Sequence, residues 1–159
     1  MIHDVVLTVH VAFGVVGVAL GPLVVWRAYR HQAAGLAAAF HGSVIGVCVT
    51  AIGLAALDLS ALWWLVPIAV GTYAFVLWGF LAGRRRTPGW PASAVRGYGG
   101  AYIALWTAIV VVSVGSSLLT WLGPAAIGTP IVELLAVRLH RAGHRSAVRR
   151  SAVESRARR

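Results

Sequence analysis

Five apolar stretches separated by short polar connections dominate this chain, and their lengths restrict it to one kind of fold. A helix needs about twenty apolar residues to span hydrocarbon. Four stretches, 5–26, 33–57, 61–82 and 99–119, reach that length, while a fifth, 124–139, is shorter and carries Glu133. Backbone amides and carbonyls find no partner in lipid, so a spanning segment must be helical despite the many valines and glycines. The expectation is an all-α integral membrane bundle of five transmembrane helices over 1–139. A basic cytoplasmic tail, 140–159, follows it.

The charges give this bundle a direction. All fourteen positive side chains are arginine. Arg27 and Arg30 follow the first stretch, Arg84, Arg85, Arg86 and Arg96 lie between the third and fourth, and eight from Arg138 to Arg159 follow the fifth. The opposite connections hold no arginine, and Asp4 and Asp58 lie there. Basic residues stay in the cytoplasm during insertion, which predicts the N-terminus outside and the C-terminus inside. The same rule makes the fifth stretch a full span, because otherwise the tail arginines would be exported. Snorkelling of Arg138 and Arg141 lengthens that short span.

Tryptophan and tyrosine mark the same boundaries. Trp63, Trp64 and Trp121 fall at the outer edge, and Trp26, Tyr29 and Trp78 at the inner one. Amphipathic rings prefer these interfacial depths. The net charge of +10 is therefore no sign of nucleic-acid binding, since the arginines flank spans or form a short tail. Arg84, Arg85, Arg86, Arg138 and Arg141 are expected to meet anionic lipid headgroups, each contributing about 1 kcal/mol. The lone Cys48 lies in an apolar run, forms no intramolecular disulfide and acts as a small hydrophobe.

Polar groups at lipid depth are costly without a partner, which makes His10, His41 and Glu133 the candidate intramembrane site. His10 shares a helical face with Gly14, Gly17 and Gly21, and so is expected to face protein, with Ser116, Ser117 or Thr120 as partners. Gly17 with Gly21, and Gly42 with Gly46, have the spacing that lets a second helix approach closely. His41 and Glu133 fall at similar depth in the inner half. They either pair with each other, or Glu133 bonds Arg138 or interfacial water.

Known reaction signatures are missing from the sequence. There is no zinc-protease HExxH, nucleophile elbow, phosphate-binding loop or dinucleotide fingerprint. No metal site is expected. Two histidines raise the alternative of b-type haem, which takes axial imidazoles. His10 and His41 sit near opposite membrane faces, however, so they cannot meet across one iron.

Several short landmarks resemble the DUF2306 family of predicted bacterial membrane proteins. They are His10, Gly14 and Gly21-Pro22 in the first span, and His31-Gln-Ala-Ala-Gly35 leading into the second. Gly100-Ala-Tyr102-Ile103 with Thr107-Ala108 is similar to a later span of that family, and Leu122-Gly-Pro124 with Ile127-Gly128-Thr129-Pro130-Ile131 to its last. The likeness extends over most of residues 8–137. It departs where the family has a histidine just before the Gly-Ala-Tyr-Ile segment; this chain reads Ser93-Ala-Val-Arg96-Gly-Tyr98. The resemblance implies a multi-span protein of the bacterial inner membrane, with no established activity. The expected role is non-enzymatic: a small-solute or proton-handling component, or a subunit of a membrane assembly or homo-oligomer joined through the glycine faces.

Overall fold

The computed structural model describes residues 1–32 and 34–157, and of residues 34 and 144–157 the backbone alone. Ala33, the expected start of the second span, lies outside the described residues. So do Arg158, Arg159 and the side chains of Arg145, Arg149, Arg150 and Arg156. Every regular element among the described residues is a helix: α1 Ile2–Tyr29, α2 Ala34–Leu57, α3 Leu59–Leu62, α4 Leu65–Arg85, α5 Trp90–Val114 and α6 Leu118–Ala157. Five of them contain segments long and apolar enough to cross a membrane, the last being Leu118–Gly143. The molecule is a helical bundle of the multi-pass membrane type.

Local chemistry sets the helix ends, and it moves three boundaries from where apolar length alone puts them. α4 begins at Leu65, not at 61, because Asp58 caps the short α3 first. The Ser60 hydroxyl donates to Asp58 Oδ1 at 2.7 Å and the Ala61 amide at 3.2 Å. These two donors hold the Asp58 carboxyl below the usual carboxylate range.

α5 begins at Trp90, not at 99. Gly89 takes a left-handed φ of 82° and Pro91 occupies the first turn, where its missing N–H costs nothing. The fourth span therefore takes in Arg96, which the sequence placed in a loop. The α5–α6 break falls at 115–117, not at 120–123. Gly115 adopts φ 107°, open to glycine, and Ser117 and Thr120 then form a reciprocal capping box. The Thr120 amide donates to Ser117 Oγ at 3.2 Å and the Ser117 amide to Thr120 Oγ1 at 2.9 Å. With α6 starting at Leu118, its apolar segment has 26 residues and is not short.

Helices α1, α2, α4 and α5 close a ring in which each packs on the next, and α6 lies against α5. Small residues and a few large ones fill the middle, with Phe40, Val44, Val76, Val95 and Tyr98 wholly buried. Large apolar side chains point outward instead, as Val112, Leu118 and Leu119 do at 78%, 77% and 80% exposure. A water-soluble surface does not tolerate so continuous an apolar exterior, whereas lipid does.

The closest helix crossing is between α4 and α5. A Cβ on Gly79 would stand 2.9 Å from the Tyr98 amide nitrogen, and one on Gly97 would press into the Gly79 backbone. Of the glycines singled out from sequence, Gly17 meets Leu105 and Ser43, Gly21 lies under the Tyr102 ring and Gly46 under Phe13. Gly14 and Gly42 have nothing within 4 Å. The GxxxG surfaces are thus used largely inside the bundle, and Gly42 is left open.

The two ends differ in charge. Arg27 and Arg30 close α1 and Arg84, Arg85 and Arg86 close α4, while Arg138 and Arg141 lie midway along α6, near the end of its apolar segment Leu118–Gly143. His31 packs edge-on to Trp90 at 6.0 Å, and a Cβ on Gly89 would lie 4.0 Å from the His140 ring. At the opposite end Trp64 packs edge-on to Trp121 at 5.5 Å, near the connection that holds Asp58.

Candidate functional site

The three polar residues expected at lipid depth do not converge. His10 on α1 meets Thr50 on α2, Nδ1 to Oγ1 at 2.9 Å, in place of Ser116, Ser117 or Thr120. Those three bond among themselves and to Trp121 at the α6 start. His41 faces α4, with its ring 4.4 Å from Phe80 and stacked on Tyr73 at 6.1 Å, and its buried Nε2 has no partner among the described residues. Thr50 is nine residues along α2 from His41, or about 13 Å of helix. The two imidazoles therefore do not face one another across a single iron.

Glu133 pairs neither with His41 nor with Arg138. It takes a bidentate contact from Arg96, Nε to Oε1 at 2.8 Å and Nη2 to Oε2 at 2.9 Å. This correction follows from helix order. α6 packs on α5, and Arg96, Gly99 and Ile103 share the α5 face that meets Glu133, Val132 and Gly128. A planar guanidinium matches a carboxylate in this two-pronged way better than an imidazole does.

A different set of residues does converge, at the arginine-rich end. A cavity of about 440 Å³ opens there between α2, α4 and α5, walled by Ala37, Phe80, Gly83, Arg84, Arg86, Trp90 and Tyr98, among others. Its parts follow from local structure. Arg86 ends α4 in a left-handed conformation, φ 46°, with its amide donating to the Ala82 carbonyl. That turn carries the Arg86 guanidinium 5.8 Å over the Trp90 ring, while Arg84 sits 5.6 Å over Phe80. Tyr98 is wholly buried, edge-on to Phe40 at 5.9 Å, and its hydroxyl beside Gly83 has no partner among the described residues.

Among the described residues no carboxylate lines this cavity. The two guanidiniums only donate, so the wall suits an acceptor-rich anion, with the Tyr98 hydroxyl buried behind it. Its aromatic and alanine faces suit an apolar body behind that anion. Arg84 and Arg86 were visible in sequence as interfacial cations. Phe80 and Trp90 are legible there as aromatics at the same boundary, but Tyr98 is not, although Pro88-Gly89 before Trp90-Pro91 is a helix-start signal that puts Tyr98 two turns inside α5.

A second cavity, about 360 Å³, lies in the other half of the bundle between α1, α2 and α5, with His10 in its wall. Among the described residues no group of three or more His, Cys, Asp or Glu side chains is placed to hold a metal ion. No family model, no curated protein and no solved structure matches this chain.

Proposed function

We propose that this protein is a non-enzymatic component of the bacterial inner membrane that binds an anionic amphiphile at its arginine-rich end. In this reading the N-terminus is outside and that end faces the cytoplasm, as the charge asymmetry favours. The observation that carries it is the cavity wall, in which Arg84 and Arg86 stand with no acid among the described lining residues. Basic pockets between spanning helices at the cytoplasmic face are well suited to phosphate-bearing headgroups. Holding both guanidiniums over aromatic rings reduces the side-chain freedom that binding would otherwise have to freeze. Phe80, Trp90 and Ala37 then receive the first part of an acyl chain.

Membership of the DUF2306 family is part of the same proposal. Its support is that the resembling motifs meet in space: Gly21 lies under Tyr102, and Gly128 under Ile103. Where that family carries a histidine, Arg96 here engages Glu133.

The test is thermal unfolding of the purified full chain in neutral detergent with added phosphatidylglycerol, phosphatidylcholine or inorganic phosphate. Phosphatidylglycerol is expected to raise the midpoint by several degrees and phosphatidylcholine to do little. Arg84→Gln with Arg86→Asn, which tolerates the left-handed turn, should remove most of that gain. Stabilisation by inorganic phosphate alone would assign the site to a soluble anion. Equal effects of the two lipids, or an unchanged gain in the double variant, would refute the reading.

A further inference from the structure

His10 carries one hydrogen-bonding atom that the bundle does not use, and the other fixes its character. Thr50 Oγ1 donates its single hydrogen to the backbone one turn earlier, with the Gly46 carbonyl at 2.7 Å and that of Val47 at 3.1 Å. The same oxygen lies 2.9 Å from His10 Nδ1, and the Val47 carbonyl beside it, which can only accept, also bonds the ring; acceptors on this side place the hydrogen on Nδ1. In the neutral ring Nε2 is then a bare acceptor. It has no partner among the described residues, and His10 forms part of the wall of the 360 Å³ cavity.

The rest of that wall is almost wholly apolar, including Leu7, Val11, Leu54 and Leu105. Trp64 is also in the wall, but its indole N–H is donated to the Ala61 carbonyl at 3.0 Å. His3 and Ser113 are exposed, as are Leu7, Val11, Val15 and Val112, so the cavity opens along its α1–α5 side. Water is a poor occupant beside Nε2, because an ordered water needs two to four polar partners and the site supplies one. A plain acyl chain would fill the volume and leave the acceptor unmet, which is costly away from water.

We propose that this cavity binds a lipophilic hydroxyl compound, with a phenol or alcohol donating its O–H to His10 Nε2 and its apolar body against Val11, Leu54 and Leu105. The site is separate from the cationic cavity and stands whether or not that one binds lipid. It recognises a donor, where the other recognises an anion.

Two probes that differ only in O–H against O–CH3 test it: 4-octylphenol and its methyl ether, 4-octylanisole. Both are titrated into the full chain in nanodiscs at about pH 8, above the ordinary imidazole range. The phenol should bind about three- to tenfold more tightly, the worth of one net hydrogen bond. His10→Phe, which preserves volume, should abolish that preference. Thr50→Val should weaken it by releasing the ring to take the other tautomer. Independently of any variant, the ¹⁵N resonance of one acceptor-type Nε2 in the unaltered protein should move with the phenol and stay with the ether. Equal affinities for the two probes would show a site for acyl chains only. A preference that survives His10→Phe, or an unmoved Nε2 resonance, would equally overturn the proposal.

Discussion

Gly97→Ala is expected to unfold the bundle more readily by about 1–3 kcal/mol, the usual cost of forcing extra volume into a close-packed contact. The added Cβ would press on the Gly79 backbone and stand 2.8 Å from the Phe75 carbonyl oxygen. Both obstacles are main chain, so no side chain can swing aside and the α4–α5 crossing has to open. Gly79→Ala should behave alike, since its Cβ would meet the Tyr98 amide nitrogen at 2.9 Å and the Gly97 carbonyl carbon at 3.2 Å. Gly42→Ala is the matched control. Nothing lies within 4 Å of that position, and alanine is the better helix former. Unfolding in a denaturing-detergent titration should rank Gly97→Ala and Gly79→Ala well below the parent, with Gly42→Ala at or above it. A Gly97→Ala protein as stable as the parent would mean the two helices do not cross this closely.

The second large effect belongs to the ion pair between α5 and α6. Arg96 lies six residues, about 9 Å, inside α5, and Glu133 about 15 Å inside the α6 segment from Gly143. Their side chains are 34% and 47% exposed, and in a bilayer that exposure is to lipid rather than to water. A surface ion pair in water contributes little. This one sits where a single uncompensated charge is costly, so each partner makes the other tolerable. Arg96→Leu and Glu133→Leu alone should each lower the folded yield several-fold. The double variant should recover most of it, because it leaves no lone charge. Yield and unfolding midpoint, taken as a double-mutant cycle, give the coupling directly. Single losses that simply add in the double variant would contradict it.

The bundle was readable from the chain because lipid imposes a length on each span. Boundaries were less readable where apolar length competed with capping chemistry. Residues 115–119 are mostly small or apolar, yet Gly115 and the Ser117–Thr120 box stop one helix and start another. Pro88, Gly89 and Pro91 look like a loop in isolation, but they begin α5 eight residues before Tyr98. Side-chain partners were harder still. Pairing Glu133 with His41 needed α6 beside α2, and no periodicity in either helix reveals which neighbour it packs on. Only the ring order of α1, α2, α4 and α5, with α6 outside on α5, brings Arg96 to Glu133 and Thr50 to His10. The glycine spacings were legible as close-approach surfaces, although the tightest one, Gly79 against Gly97, lay in neither pair.

Cysteine accessibility in intact cells probes the membrane arrangement most directly. With the buried Cys48 changed to alanine, single replacements S60C, S116C and T87C place a thiol in three exposed connections. A membrane-impermeant maleimide should label the variants at 60 and 116 from outside, and the one at 87 only after the membrane is opened. Labelling at 87 in sealed cells, or equal labelling at all three, would contradict a bundle that crosses the membrane five times with its arginines on the inner side.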